Sequence, residues 1–299
     1  MRGLLGQFPY HAAFALSVLR GKPLAAVAGL SITDVCNLDC RHCWRKNAGA
    51  GHAPLSAVEE HLEKLYAMGG RYLYLQGGEP FLWRDGERGL TDVVARARAA
   101  GFFHVTVCTN GTFPLDAGPD AYSISIEGSP AVHDAIRCSS FKAVMENVRR
   151  SPSRNIFINA TFNRLNAGDL ECLVELARAE PSVRGVLVNF HIPYPGVEDL
   201  ALDPAGRRAL ALRALELKAR GLPILNSKAG LAALAANDWR RPVPVSVVSD
   251  CRKIFHCCRA LGDGKICSQC GYAVWAEASR LLDFDPGALW WALTRVSGR

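Results

Sequence analysis

The sequence predicts an α/β fold, a partial (β/α)6 TIM-type barrel with a small C-terminal cysteine-rich extension. Three observations carry this prediction. Six apolar, β-branched or aromatic runs of strand length recur between residues 28 and 190, helix-length stretches separate them, and glycines stand where a helix must stop before the next strand. Parallel strands need long crossovers, usually helical, so this alternation implies a parallel sheet with helices outside. In such a barrel the chemistry gathers at the C-terminal ends of the strands.

Residues 1–27 form a leading segment in which Tyr10–Leu19 is a predominantly apolar, helix-length stretch followed by Arg20 and Lys22. The first strand is expected at Ala28–Val35. Ala57–Met68 then places Val58, Leu62, Leu65 and Tyr66 on one helical face. Gly69-Gly70 stops that helix before a strand at Arg71–Gln76, and Gly101 stops the helix Arg88–Ala100 before His104–Cys108. A strand at Ala121–Ile126 and a helix at Ser140–Arg150 follow. Strand Asn155–Phe162, helix Asp169–Ala179, strand Gly185–Phe190 and helix Pro204–Arg220 complete a barrel assigned to residues 28–222. Beyond it Pro242 and Pro244 break the next apolar stretch, and five cysteines fall between 251 and 270, so residues 223–299 are set apart as an extension. Asp285-Pro286 reads as a helix start ahead of Leu289, Trp290, Trp291 and Leu293. The two terminal helices either pack on the barrel or a second copy, or cover a greasy pocket or rest on a bilayer.

A chain of 299 residues that is 49% hydrophobic and 21% charged has ordinary globular composition. Its 11 cysteines exceed what core packing needs. With no recognisable signal peptide and no run long enough to span a bilayer, reduced thiols acting as metal ligands in the cytoplasm fit better than disulfides. The net charge of +7 is spread over arginine pairs such as Arg149-Arg150 and Arg240-Arg241. They read as solvated faces, so no nucleic-acid partner is expected.

The first strand run ends in Cys36-Asn-Leu-Asp-Cys40-Arg-His-Cys43. Three thiolates can hold three irons of a [4Fe–4S] cube and leave the fourth open, whereas a zinc site would need one more ligand from elsewhere. The second strand run ends in Gly77-Gly78-Glu79-Pro80. There two residues without β-carbons let backbone approach a ligand, and Glu79 can accept from an ammonium group. Together these motifs resemble the radical S-adenosylmethionine (SAM) superfamily over roughly residues 28–195. The resemblance implies that SAM chelates the open iron and is cleaved reductively to a 5′-deoxyadenosyl radical. It implies that Gly77, Gly78 and Glu79 bind the methionyl amino end, that Thr109, Asn110 and Ser125 are polar contacts to SAM, and that Arg137 clamps its carboxylate. Glu127 stands where family members usually carry Asp, which leaves its role open. His42 fills the aromatic position of the cysteine loop, and Asn159 and Asn189 are further candidates at strand ends.

The tail offers Cys251, Cys257, Cys258, Cys267 and Cys270, the last two as a C-x2-C pair. It resembles the shortened auxiliary-cluster module of some radical SAM enzymes. The expected ligands of a second [4Fe–4S] cluster are Cys251, Cys258, Cys267 and Cys270, with Cys257 as a competing ligand and a zinc knuckle as the alternative. Cys138 and Cys172 read as buried packing residues on helices. More loosely, the stretch from Pro223 to Tyr272 resembles the adenosylhopene-synthase branch, which joins the deoxyadenosyl radical to an isoprenoid alkene. On that match Cys108 supplies the quenching hydrogen atom; otherwise it is a small core residue. The expectation is a cytoplasmic enzyme forming a carbon–carbon bond on an isoprenoid or other lipid, fed by a reductant such as flavodoxin or ferredoxin, with peripheral membrane contact through its terminal helices. The alternatives are hydrogen abstraction from a ribosomal peptide or a sugar and, outside enzymes, a zinc protein that binds nucleic acid.

Overall fold

The computed structural model describes residues 4–45, 49, 51–258 and 263–290. Helix α1 (Leu4–Leu19) precedes β1 (Val27–Thr33), α2 (Leu55–Ala67), β2 (Tyr72–Gly77), α3 (Leu90–Ala99), β3 (His104–Thr109) and β4 (Ala121–Ser125). Next come α4 (Pro130–Ile136), α5 (Phe141–Arg150), β5 (Ile156–Phe162), α6 (Leu170–Ala179), β6 (Val183–Phe190) and α7 (Pro204–Ala219). The chain continues through α8 (Lys228–Ala236), β7 (Ser246–Ser249), β8 (Ile254–His256), α9 (Gly264–Ser268) and α10 (Ala273–Leu282). All eight strands form one sheet in the order β6-β5-β4-β3-β2-β1-β7-β8. Strands β1 to β6 pair in parallel with their sequence neighbours, as the alternation requires. β7 adds in parallel to the free edge of β1, and β8 runs antiparallel to β7.

Side chains alternate across these strands. Leu30, Leu75, Val107, Ile124, Ile158 and Val188 are fully or almost fully buried on the helix side, in one core with Val58, Leu62 and Leu65 of α2. The opposite, concave side carries Ser31, Gln76, Thr106, Cys108, Ser123, Ser125, Asn159 and Asn189, related by strand register. The greasy layer thus lies between sheet and helices, while the interior of the half-barrel is polar toward its C-terminal end.

Two parts of the chain depart from the expected layout. Residues 223–226 run along the outer edge of β6: Val186 N donates to Pro223 O and Leu225 N to Val186 O, both at 2.8 Å. The Asn226 side chain then takes over, accepting from Val188 N at 2.8 Å and donating to Val188 O at 3.1 Å. Strands β7 and β8, with four and three residues, are too short for a period-2 pattern to register, and prolines precede them. Helix α1 docks on the N-terminal ends of the strands: Tyr10 Oη donates to Gly69 O, His11 Nε2 meets Tyr72 Oη, both at 2.7 Å, and Tyr10 lies edge-on to Phe103. Phe8 and Leu19 remain 70% exposed. No described helix is long and apolar enough to cross a membrane. The helical turn at 286–290 begins where Asp285-Pro286 placed it, with Asp285 Oδ1 accepting from Ala288 N at 2.9 Å. Trp291 and Leu293 lie outside the described residues.

The extension is tied to the barrel by α10. Ala273 N donates to Asn189 Oδ1 at 2.8 Å, and buried Glu277 accepts from Ser227 N at 2.8 Å and Ser227 Oγ at 2.5 Å at the start of α8. Burial pushes the Glu277 carboxyl up from 4.5 to about 7. The folded state therefore favours the protonated form, and the contribution of this group to stability is complete below pH 4.5 and lost as pH rises through about 7. Between those limits wild type should lose on the order of 3 kcal/mol that a Glu277→Gln variant does not. Thermal unfolding of both proteins across that range would show it as a flatter melting-temperature profile for the variant; parallel profiles would contradict it.

Candidate active site

The cysteine loop leaves the C-terminal end of β1 and is held by its own backbone and by neighbours. Val35 N donates to Thr33 Oγ1 at 3.0 Å, Arg41 N to Ile136 O at 3.0 Å and Cys43 N to Cys40 O at 3.1 Å. Cys40 is buried, Cys36 and Cys43 are half-buried, and none of the three is in a disulfide. Burial pushes the Cys40 thiol up to about 11 against the pull of Arg137, and raises Cys36 as well. Side-chain N–H groups face two of the sulfurs: Arg137 Nη1 lies 3.7 Å from Cys40 Sγ and Asn110 Nδ2 3.9 Å from Cys36 Sγ. Three thiols on one loop, two of them facing N–H donors, fit a polynuclear cluster that supplies the charge needed to ionise them. Among the described residues, no three His, Cys, Asp or Glu side chains converge as the ligands of a single ion do.

The loop after β2 packs on the cysteine loop, and its glycines are there for that contact. A β-carbon on Gly78 would stand 2.2 Å from Val35 O, and one on Gly77 2.3 Å from Thr33 O. In their place run two backbone hydrogen bonds of 2.8 Å, Gly78 N to Thr33 O and Glu79 N to Val35 O. The sequence suggested close approach to a ligand; the close approach in the structure is to protein backbone. Glu79 is fully buried and its oxygens are engaged. Oε1 accepts from Thr109 Oγ1 at 2.7 Å and Phe81 N at 3.1 Å, and Oε2 accepts from Asn110 N at 2.7 Å. Burial lifts this carboxyl to about 6 despite those donors. Thr109, expected to face SAM, turns toward Glu79 and also accepts from Gly111 N at 3.0 Å. Asn110 bridges outward, donating to Asn37 Oδ1 at 2.9 Å and accepting from Thr112 N and Oγ1.

A second buried cluster lies on the other flank of Cys40. Arg137 Nε and Nη2 both donate to Glu127 Oε1, at 2.8 and 2.6 Å, and His42 Nε2 lies 3.3 Å from Nη2 and 3.6 Å from that same oxygen. Burial opposes ionisation of Glu127, yet Arg137 and His42 hold its carboxyl below the usual range. The expected carboxylate clamp is thus turned onto a carboxylate of its own chain. The sequence marks Glu127 only as a departure from the family pattern. The signal that could have found it is a glutamate at the end of an apolar strand with an arginine on the following helix. Asn166, which fixes Glu127 from the loop after β5, carries no such signal.

Ser125 and Cys108 lie half-buried on the concave side, in register with Asn159 and Ser123 respectively. Burial pushes the Cys108 thiol up to about 11, so it stays protonated at neutral pH. Asn159 Oδ1 accepts from Asn189 Nδ2 at 2.6 Å, which binds these two candidates to each other.

The tail cysteines divide differently from expectation. Cys257, Cys258, Cys267 and Cys270 line one cavity with Ile192, Tyr194, Trp239 and Arg241. Cys251 is not among them: its Sγ donates to Ser31 O at 3.5 Å in a separate cavity beside Asp34 and His52. The local cause is Cys257, whose left-handed φ of 67° follows β8. Successive side chains of a strand point to opposite faces, and the left-handed residue breaks that rule so that both vicinal cysteines meet one cavity. Arg207 donates to Cys270 O at 2.7 Å, and Arg241 stacks over Trp239 at 3.9 Å. Neither forms a close ion pair with a carboxylate among the described residues, which suits an anionic thiolate group beside them. Trp44, next to Cys43, stacks on Tyr194 at 4.5 Å and so joins the two cysteine regions. Cys138 and Cys172, read as buried packing residues, are exposed: Cys138 sits at the turn that ends α4, and Cys172 on the outer face of α6.

The family model of the Radical SAM superfamily matches residues 30–177. The chain is 28% identical over 215 residues to pre-heme d1 synthase of Dinoroseobacter shibae, covering 67% of this chain and 51% of that protein. It is 29% identical over 187 residues to the sporulation killing factor maturation protein SkfB of Bacillus subtilis, covering 58% and 43%. The chain therefore spans about half the length of the curated relatives it matches. Among solved structures, SuiB of Streptococcus suis bound to S-adenosylmethionine superposes with a TM-score of 0.65 at 14% identity, covering 93% of this chain and 70% of SuiB.

Proposed function

As the chain is a member of the radical SAM superfamily and an enzyme that uses a [4Fe–4S] cluster and SAM, we propose that Cys36, Cys40 and Cys43 hold the cube and that SAM occupies the polar mouth beside them. When bound, the two supply a 5′-deoxyadenosyl radical, with the electron coming from a reductant such as flavodoxin or ferredoxin. The chain's own contribution is positional. Gly77 and Gly78 bring the β2 loop onto the cysteine loop, Glu79 ties that loop to Thr109 and Asn110, and Ser125 and Asn159 present polar groups inside the mouth. Four thiols, Cys257, Cys258, Cys267 and Cys270, hold a second cluster and leave it no open corner, so its role is to pass electrons or to fold the tail.

The reaction proposed is hydrogen abstraction from a polar substrate, a peptide or small molecule. The observation that carries it is the concave wall, where the half-buried polar side chains of Gln76, Thr106, Ser125 and Asn159 break up the apolar surface of Tyr74, Phe157 and Leu187 on the same face. Similarity to SkfB favours a peptide. A second reading, radical addition to an isoprenoid or other lipid, is favoured by Cys108, a protonated thiol on that same wall. Mass spectrometry of the reduced protein with SAM and candidate substrates separates the two, free 5′-deoxyadenosine marking abstraction and an adenosylated product marking addition. With abstraction, Cys108→Ala should leave the 5′-deoxyadenosine yield within about twofold of wild type, a change below about 0.5 kcal/mol. An adenosylated lipid whose formation falls about tenfold or more in that variant would replace the first reading by the second.

A further inference from the structure

We infer that Arg137 is a positioning residue that raises the reduction potential of the first cube by donating to the Cys40 sulfur, with Glu127 fixing its guanidinium. The inference rests on the proposal that Cys36, Cys40 and Cys43 carry that cube. Arg137 caps the C-terminal end of α4 and is buried. Its Nε and Nη2 are taken by Glu127 Oε1, which leaves Nη1 directed at Cys40 Sγ, 3.7 Å away. Glu127 is held from its other side, Oε2 accepting from Thr161 N at 3.0 Å and Asn166 Nδ2 at 3.4 Å, while its backbone O accepts from Asn166 Nδ2 at 2.8 Å. A planar fork gripped by an immobile carboxylate has one orientation, and its remaining end meets sulfur.

A buried Arg–Glu pair carries a desolvation cost that apolar packing would not, so stability alone gives little reason for it. Its placement against a cluster ligand gives one. A reduced cube bears one more negative charge than an oxidised cube, so an N–H donor on a ligand sulfur stabilises the reduced form more and makes reduction easier. Asn110 Nδ2, at 3.9 Å from Cys36 Sγ, acts in the same sense as a weaker, neutral donor. Glu127 then has two effects of opposite sign: it orients the donor, and its charge partly cancels that of the guanidinium.

The test is an EPR-monitored redox titration of the anaerobically reconstituted full chain, following the signal that responds when SAM is added afterward. Arg137→Gln should weaken one-electron reduction at least about tenfold, a shift of about 59 mV to more negative potential. Arg137→Lys, which keeps the charge but loses the fork, should fall between. Glu127→Gln keeps an amide oxygen that can accept from Nε and Nη2 but loses the charge, so it should move the potential the opposite way, the still-oriented cation now facing sulfur uncompensated. If Arg137→Gln only lowers iron loading and the loaded fraction titrates like wild type, Arg137 is merely structural and the inference is overturned. It is overturned equally if Arg137→Gln and Glu127→Gln shift the potential in one direction. A wild-type protein that takes up no cube overturns the cysteine assignment itself, a different and earlier failure.

Discussion

Cys40→Ala should abolish SAM cleavage, lowering it on the order of 10³-fold or more, the scale of removing an indispensable group. Cys40 is the buried member of the triplet and the one faced by Arg137, so its loss removes a ligand and leaves a donor without its sulfur. Cys36→Ala and Cys43→Ala should behave alike in activity, since a cube held by two thiolates is not kept. Cys172→Ala, at an exposed position on α6, is the matched control and should retain wild-type iron, sulfide and cleavage. Chemical iron analysis beside quantified 5′-deoxyadenosine checks the set. Full activity in Cys40→Ala would end the assignment.

The second large effect separates two neighbouring cysteines. Cys257→Ala should remove about half of the bound iron, because it opens the four-thiol cavity and a cluster missing one protein ligand is labile. Cys251→Ala should leave iron content unchanged, since that thiol donates to Ser31 O outside the cavity. Iron and sulfide per chain, measured after reconstitution and desalting, decide it. The reverse outcome would restore Cys251 as the ligand. Zinc without sulfide in the wild-type tail would make the site a structural knuckle.

The barrel was legible because its periodicity is long and repeated. Strands such as Ile156–Phe162 and helices such as Leu55–Ala67 carry one apolar face each, and burial follows that face. Element ends moved by a residue or two, as when β1 began at Val27 and stopped at Thr33. The extension was not legible in the same way. Its strands are too short to show alternation, and α8 is so rich in alanine that it has no distinct apolar stripe. Which cysteines face one another depends on left-handed backbone at Cys251 and Cys257, and nothing in a one-dimensional spacing fixes a backbone angle.

In the site, cysteine and glycine positions could be read because loop chemistry restricts residue type there. What side chains do with one another could not. Glu79 and Thr109 were each expected to face a cofactor, yet they satisfy each other, because a fully buried carboxylate without donors is costly. Arg137 was expected to reach outward, and Glu127 turns it inward toward Cys40. The Glu79–Thr109 pairing spans 30 residues and arises only once the ends of β2 and β3 are side by side, whereas Arg137 lies 10 residues after Glu127, at the end of the helix that follows β4.

The most direct measurement is the EPR spectrum of the dithionite-reduced, reconstituted protein before and after addition of SAM. A cube held by three thiolates has one iron free to take SAM, so a reduced-cluster signal that changes when SAM is added is the expected result. A reduced protein with no cluster signal, or with one that SAM leaves unaltered, would contradict it.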